Sequence, residues 1–173
     1  MSLTDGWTAF DQITQNLLRR LSCLCTSVAD LVNAGFEEYD ANGAPSAWVL
    51  EGAGSVGPGD VNIGHTPVEI DATRGETWVS QGPFPLENRN YYSAGCWARA
   101  DQAGATIRLQ SRASWIDFAI AEHPGDGVWH YLHAYGVPDA GEDPVFPARV
   151  KIQVAGGIAR FDSIKIEAIA QPP

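Results

Sequence analysis

From Thr77 to Ala168, apolar and polar residues alternate with a period of two, in short segments separated by glycine, proline and aspartate. Successive side chains of an extended strand point to opposite faces, so this pattern specifies half-buried strands. Thr77–Gln81, Tyr91–Ala100, Ala105–Arg112, Trp115–Ala121, Val128–Tyr135, Ala148–Val154 and Ile158–Ala168 all fit it. Many short strands, with no helical pattern between them to return a parallel sheet, predict a mainly β chain: an antiparallel sandwich or barrel. The 18 glycines and 11 prolines suit the turns this requires. The glycine-rich stretch Glu51–Ile63 reads as a loop or an irregular edge.

The first 32 residues follow a different period. Phe10, Ile13, Leu17, Leu21, Leu24, Val28 and Leu31 recur at spacings of three and four, which predicts an N-terminal α-helix over 7–32. Thr8 or Asp5 is placed to cap its start, and Asn33-Ala34-Gly35 its end. Its apolar stripe needs cover from the sandwich, from another copy of itself or from a different protein. Self-association or docking is the favoured reading, with residues 1–32 as an oligomerisation segment and 33–173 as the sandwich.

Charge narrows the partners. Lys and Arg total 11 against 21 Asp and Glu, a net charge of −10, which repels phosphate backbones and argues against nucleic acid. No stretch approaches the roughly 20 apolar residues of a membrane span, and MSLTDGWTAF lacks the basic start of a signal peptide. Cys23, Cys25 and Cys96 are too few for a disulfide framework and are expected as free thiols.

Strand parity assigns faces. Ile107, Leu109, Phe118, Ile152 and Ile164 are expected between the sheets, with Ile116 and Ile120 on the same side as Phe118. Trp115, Tyr131, Tyr135, Arg108 and Gln110 are expected together on one outer face.

Asn33-Ala34-Gly35-Phe36-Glu37 followed by Pro45-Ser46-Ala47-Trp48 resembles the opening of carbohydrate-binding modules of the family 4/9/16/22 type. Gln81, Tyr92-Ser93-Ala94-Gly95-Cys96-Trp97, Gly127-Val128-Trp129 and Phe161-Asp162-Ser163-Ile164 resemble later strands of the same family, in the same order. The resemblance, over residues 33 to 168, implies a jelly-roll β-sandwich, to which the periodicity adds the N-terminal α-helix. It also implies that Trp48, Trp97 and Trp129 lie mainly in the core, and that Glu37 and Asp162 hold a structural calcium ion. The alternative for the last pair is two surface carboxylates.

Trp78, Trp115, Tyr131 and Tyr135, with Arg108 and Gln110, are the candidates for stacking and hydrogen-bonding a sugar, or for a subunit interface. No paired carboxylates, nucleophile motif or histidine spacing points to catalysis, and the chain is expected not to be an enzyme. Its plan (starting Met, helix, one sandwich, Pro-Pro end) resembles bacteriophage decoration and fibre proteins. The reading is therefore a virion structural protein, homotrimeric through its helix and assembled in a host cytoplasm, with other virion proteins as partners. The alternative is a stand-alone, extracellular glycan-binding module.

Overall fold

The computed structural model describes residues 26–27, 31–60, 66–111, 115–138, 141 and 143–169. They form β1 (Thr26–Ser27), β2 (Val49–Gly52), β3 (Ser55–Pro58), β4 (Val68–Asp71), β5 (Thr77–Glu87), β6 (Tyr91–Ala100), β7 (Ala105–Ser111), β8 (Ile116–Glu122), β9 (His130–Gly136), β10 (Val145–Val154) and β11 (Ile158–Ile169). One sheet has the order β3-β4-β11-β6-β9, with β1 beside β11, and the other the order β2-β5-β10-β7-β8. Every pairing is antiparallel.

The two sheets close on one core. Ile70, Cys96, Ala98, Leu132, Phe161, Ile164 and Ile166 come from the first sheet and its flank, and Val79, Ile107, Leu109, Val150, Ile152 and Val154 from the second. Each fully buried Leu- or Ile-sized side chain contributes roughly 1.5–3 kcal/mol, so the alternation of each strand is held against slippage. The glycine-rich stretch after Glu51 is more regular than its composition suggests. It supplies the end of β2, pairing β5, and all of β3, pairing β4.

The motif residues of the opening segment act as a clasp. Asn33 Nδ2 donates to the Glu38 carbonyl at 2.6 Å, and Asn33 Oδ1 accepts the Glu38 N–H at 3.1 Å. Gln81 on β5 accepts the Val32 N–H and donates to the Val32 carbonyl, each at 2.8 Å. Trp48 Nε1 donates to the Asn33 carbonyl at 3.2 Å, and its ring packs 5.0 Å from that of the fully buried Phe36.

Three expectations are corrected. The helix over 7–32 does not run to its predicted end. Thr26 and Ser27 are extended and pair with Ala168 and Glu167 of β11. β4 pairs only Ile158–Phe161 of β11, so the backbone groups farther along that side need another partner, and β1 supplies it. Leu31, predicted to face other chains, packs against the sandwich's own core. Phe10, Ile13, Leu17, Leu21, Leu24 and Val28 lie outside the described residues.

The second correction concerns β8. Ile116 and Ile120, expected inside, are exposed, while Ala119 is buried. A bulge between the Leu109↔Ala119 and Gln110↔Asp117 pairs inserts Phe118 as an extra residue, so that Ala119 shares the inward parity of Leu109 and Ile120 the outward parity of Arg108, while Ile116, opposite Ser111 at the strand's start, is left open to solvent. Phe118 itself still reaches the core edge, 6.1 Å from the Phe146 ring. The third is Trp97, expected in the core and found 47% exposed, because its neighbours Cys96 and Ala98 take the inward positions. Trp48 is buried, as expected.

Ile107→Ala should lower unfolding free energy by about 2–5 kcal/mol. Ile120→Ala should change it by no more than about 1 kcal/mol. Denaturant titration distinguishes them, and equal large losses would contradict the bulge-shifted parity of β8.

Candidate functional site

The inward alternation of β5, β7 and β10 aims a second set of side chains outward. On β10 these are Arg149, Lys151 and Gln153, on β7 Thr106, Arg108 and Gln110, and on β5 Trp78 and Ser80. The central strands place Lys151 opposite Arg108, Arg149 opposite Gln110, and Gln153 opposite both Thr106 and Trp78. Glu51 on β2 and Asp117 on β8 complete the face at its two edges.

These groups hold one another in place. Arg149 Nε donates to Gln110 Oε1 at 2.7 Å, and Gln110 Nε2 donates to Asp117 Oδ1 at 2.7 Å. Arg108 Nη1 donates to Asp117 Oδ2 at 2.7 Å, and its Nε donates to Thr106 Oγ1 at 3.0 Å. Trp78 Nε1 donates to Glu51 Oε2 at 2.9 Å. Gln153 Nε2 donates to Glu76 Oε1. The Arg149 guanidinium lies 3.6 Å from the Trp115 ring centre, and Lys151 Nζ lies 4.1 Å from that of Trp78. Each cation thus rests on an indole face, a contact that grows stronger away from water. Burial and the Arg108 charge hold the Lys151 ammonium below the usual lysine range.

Trp78, Trp115, Arg108 and Gln110 therefore converge as candidate site residues. Tyr131 and Tyr135 do not join them. They lie on β9, in the other sheet, where they face outward on the opposite side of the sandwich. Parity along a strand separates inside from outside, but it does not say which sheet the strand enters. There they extend an aromatic row: Trp97 and Tyr131 meet edge-to-face at 5.4 Å, and His133 lies 6.2 Å from Tyr131 and 5.9 Å from Tyr135. Tyr131 packs directly over Gly95, where any Cβ would collide with its ring.

A second cluster was not visible in the histidine spacing. His123, Asp126 and His130 bring potential metal-binding atoms within 4.8 Å of one another at the β8–β9 connection. Both nitrogens of His123 are already engaged: Nδ1 accepts the Gly125 N–H at 2.9 Å, and Nε2 lies 2.9 Å from the Val128 carbonyl. His130 Nε2 is bonded to Asp126 Oδ2 at 2.8 Å. A metal would have to break one of these bonds, so the cluster reads as a turn clip.

Glu37 and Asp162 both lie within electrostatic reach of Tyr39. Asp162 is buried and accepts the Ser163 hydroxyl at 3.2 Å, and the Ile164 N–H donates to the Ala34 carbonyl at 3.0 Å, tying β11 to the opening segment. Burial, then the charges of Glu37 and Asp162, push the Tyr39 phenol up to about 12. Carboxylate oxygens such as these are the kind of ligand a hard cation takes.

Asp117 and Glu122, two carboxylates of β8, each have a structural partner. Asp117 holds Arg108 and Gln110, and Glu122 accepts the Gly104 N–H at 2.9 Å.

No protein-family model matches the chain, and no curated protein matches it. Solved structures do. The CBM22-1 xylan-binding domain of Xyn10C from Paenibacillus barcinonensis matches with a TM-score of 0.53 at 12% identity, over 80% of this chain and 94% of that one. Modules of families 4 and 61 match as well. The fold is a carbohydrate-binding-module-like jelly roll. The same jelly roll is similar to a cyclase from Fischerella sp. TAU, with a TM-score of 0.63 at 12% identity over 85% of this chain and 100% of that one. It is also similar to the enzymatically active domain of tailspike protein 4 from bacteriophage CBA120, with a TM-score of 0.58 at 15% identity. That match covers 82% of this chain but only 22% of the tailspike chain. At such identities the likeness is one of fold, and a fold that serves both modules and enzymes assigns no activity by itself.

Proposed function

We propose that this chain is a non-catalytic glycan-binding module whose ligand lies on the outer face of the five-stranded sheet, along β10 between Trp78 and Trp115. The observation that carries the reading is the preorganised polar row between two tryptophans. Sugars present apolar C–H faces and a fringe of hydroxyls, which suit indole rings and fixed donors and acceptors respectively. Here the donors and acceptors are already oriented by their mutual bonds, so little side-chain entropy is lost on binding. The likeness to xylan-binding and other carbohydrate-binding modules supports the same reading.

One calcium ion held by Glu37 and Asp162 is part of this proposal. It would balance the buried Asp162 charge and join the opening segment to the last strand, a structural task away from the glycan face.

A second reading, a trimeric virion protein with this module on display, draws support from the fold shared with part of a phage tailspike. The apolar stripe Phe10, Ile13, Leu17, Leu21 and Leu24 would then serve self-association.

On a panel of immobilised and soluble polysaccharides, Trp78→Ala and Trp115→Ala should each weaken the best ligand about tenfold by calorimetry, while Tyr135→Ala leaves it unchanged. Loss of binding in the Tyr135 variant alone would move the site to the other sheet. Chelation of calcium should lower the melting temperature of the wild type but not of Asp162→Asn, and an unchanged wild-type value would remove the ion. Light scattering should give a trimer for the full chain and a monomer after deletion of residues 1–25; a full-length monomer at high concentration would rule out the virion reading's assembly step.

A further inference from the structure

The outer row of β10 contains one charge that its neighbours do not satisfy. Lys151 is only 8% exposed. Among the described residues its ammonium meets no hydrogen-bond acceptor and no ion-pair partner, only the ring of Trp78. An ammonium carries three donors and no acceptor, and this one keeps contact with water, the one buried side-chain polar atom left without a partner among the described residues being Gln153 Oε1. The carboxylates around it are engaged elsewhere. Asp117 takes Arg108 and Gln110, Glu51 takes Trp78 Nε1 and lies 3.9 Å from Arg149, and Glu76 takes Gln153.

The placement of this lysine adds repulsion from like charges. Lys151 sits directly opposite Arg108 in the β10–β7 register, with Arg149 two residues along its own strand. Like charges directly opposite one another destabilise a sheet, and Asp117 answers only one of them at contact distance. Three of the chain's 11 basic residues thus meet on one face of a protein whose net charge is −10. The diffuse field of that net charge repels anions, so attraction for one here has to come from these local charges.

We propose that Lys151 anchors an anionic substituent, a carboxylate or a sulfate ester, so that the module recognises an acidic polysaccharide in preference to a neutral one. This rests on the glycan-binding reading above and specifies its ligand class. The anion would replace the missing acceptor at the lysine, while Trp78 and Trp115 take the sugar faces on either side. Pairing at a partly covered ammonium is screened less than at a free surface charge, so part of the preference should persist at physiological salt.

The test uses the full chain against matched polymers: polygalacturonate and its fully methyl-esterified form, and dextran sulfate and dextran. Esterification removes the charge while keeping the backbone, so it needs no protein variant. The expected result is binding to at least one acidic polymer, with a loss of about 10- to 100-fold on neutralising it. Which acidic member binds separates carboxylate from sulfate. Lys151→Met should erase the acidic preference and Lys151→Arg should restore part of it, with circular dichroism confirming the fold of both. Equal affinity for charged and neutral partners, or binding to the neutral ones only, overturns the inference and leaves the glycan reading intact. An acidic preference unchanged in Lys151→Met also overturns it. No binding to any of the four polymers overturns both.

Discussion

Everything on the surface of this molecule depends on the burial of two inner sheet faces against each other. Val150, Ile152 and Val154 of β10, with Ile107 and Leu109 of β7, are removed from water almost completely. Moving either strand by one residue would exchange that apolar set for Arg149, Lys151, Gln153, Arg108 and Gln110, at a cost no surface contact offsets. The core therefore does more than stabilise. It aims the outward side chains and sets their spacing at two residues along a strand and one strand across.

The outward face built this way is unusually polar for how buried it is. Lys151, Gln153, Thr106 and Gln110 are each largely covered although none points into the core. They are covered by one another and by Trp78 and Trp115, so the face behaves as a shallow second interior. In such a setting, hydrogen bonds and ion pairs orient side chains strongly, and a group left over is a functional clue. The opposite face is different in kind: Trp97, Tyr131 and Tyr135 are exposed, and with His133 they form a row of tilted and edge-to-face ring contacts.

The opening segment shows how the resemblance to carbohydrate-binding modules acquires physical meaning. Asn33 takes a left-handed conformation, at φ 53°, that asparagine tolerates better than most residues, and its side chain bridges Glu38 and Ser46. Gln81 satisfies the backbone of Val32 from a strand 49 positions later. These motif residues fasten the chain across the sandwich and say nothing about the ligand. That explains why the motifs were informative about the fold and silent about the site.

Local pattern alone determined the seven strands β5 to β11, and with them the mainly β class and most of the core, while β1 to β4 were not legible in it. It also selected Trp78, Trp115, Arg108 and Gln110, because their outward parity is a property of single strands. The assignment of strands to sheets was not legible, since hydrogen-bond partners are chosen by packing between distant segments; this is why Tyr131 and Tyr135 fell on the far side. The β8 bulge at Phe118 was equally hidden, because one inserted residue leaves the apolar count unchanged while reversing its direction. Lys151 and Arg149 read in sequence as ordinary solvated positions on a strand. Only the tertiary structure, by setting β7 and β5 on either side of β10, decided that Lys151 is a nearly buried cation opposite Arg108 and beside an indole ring.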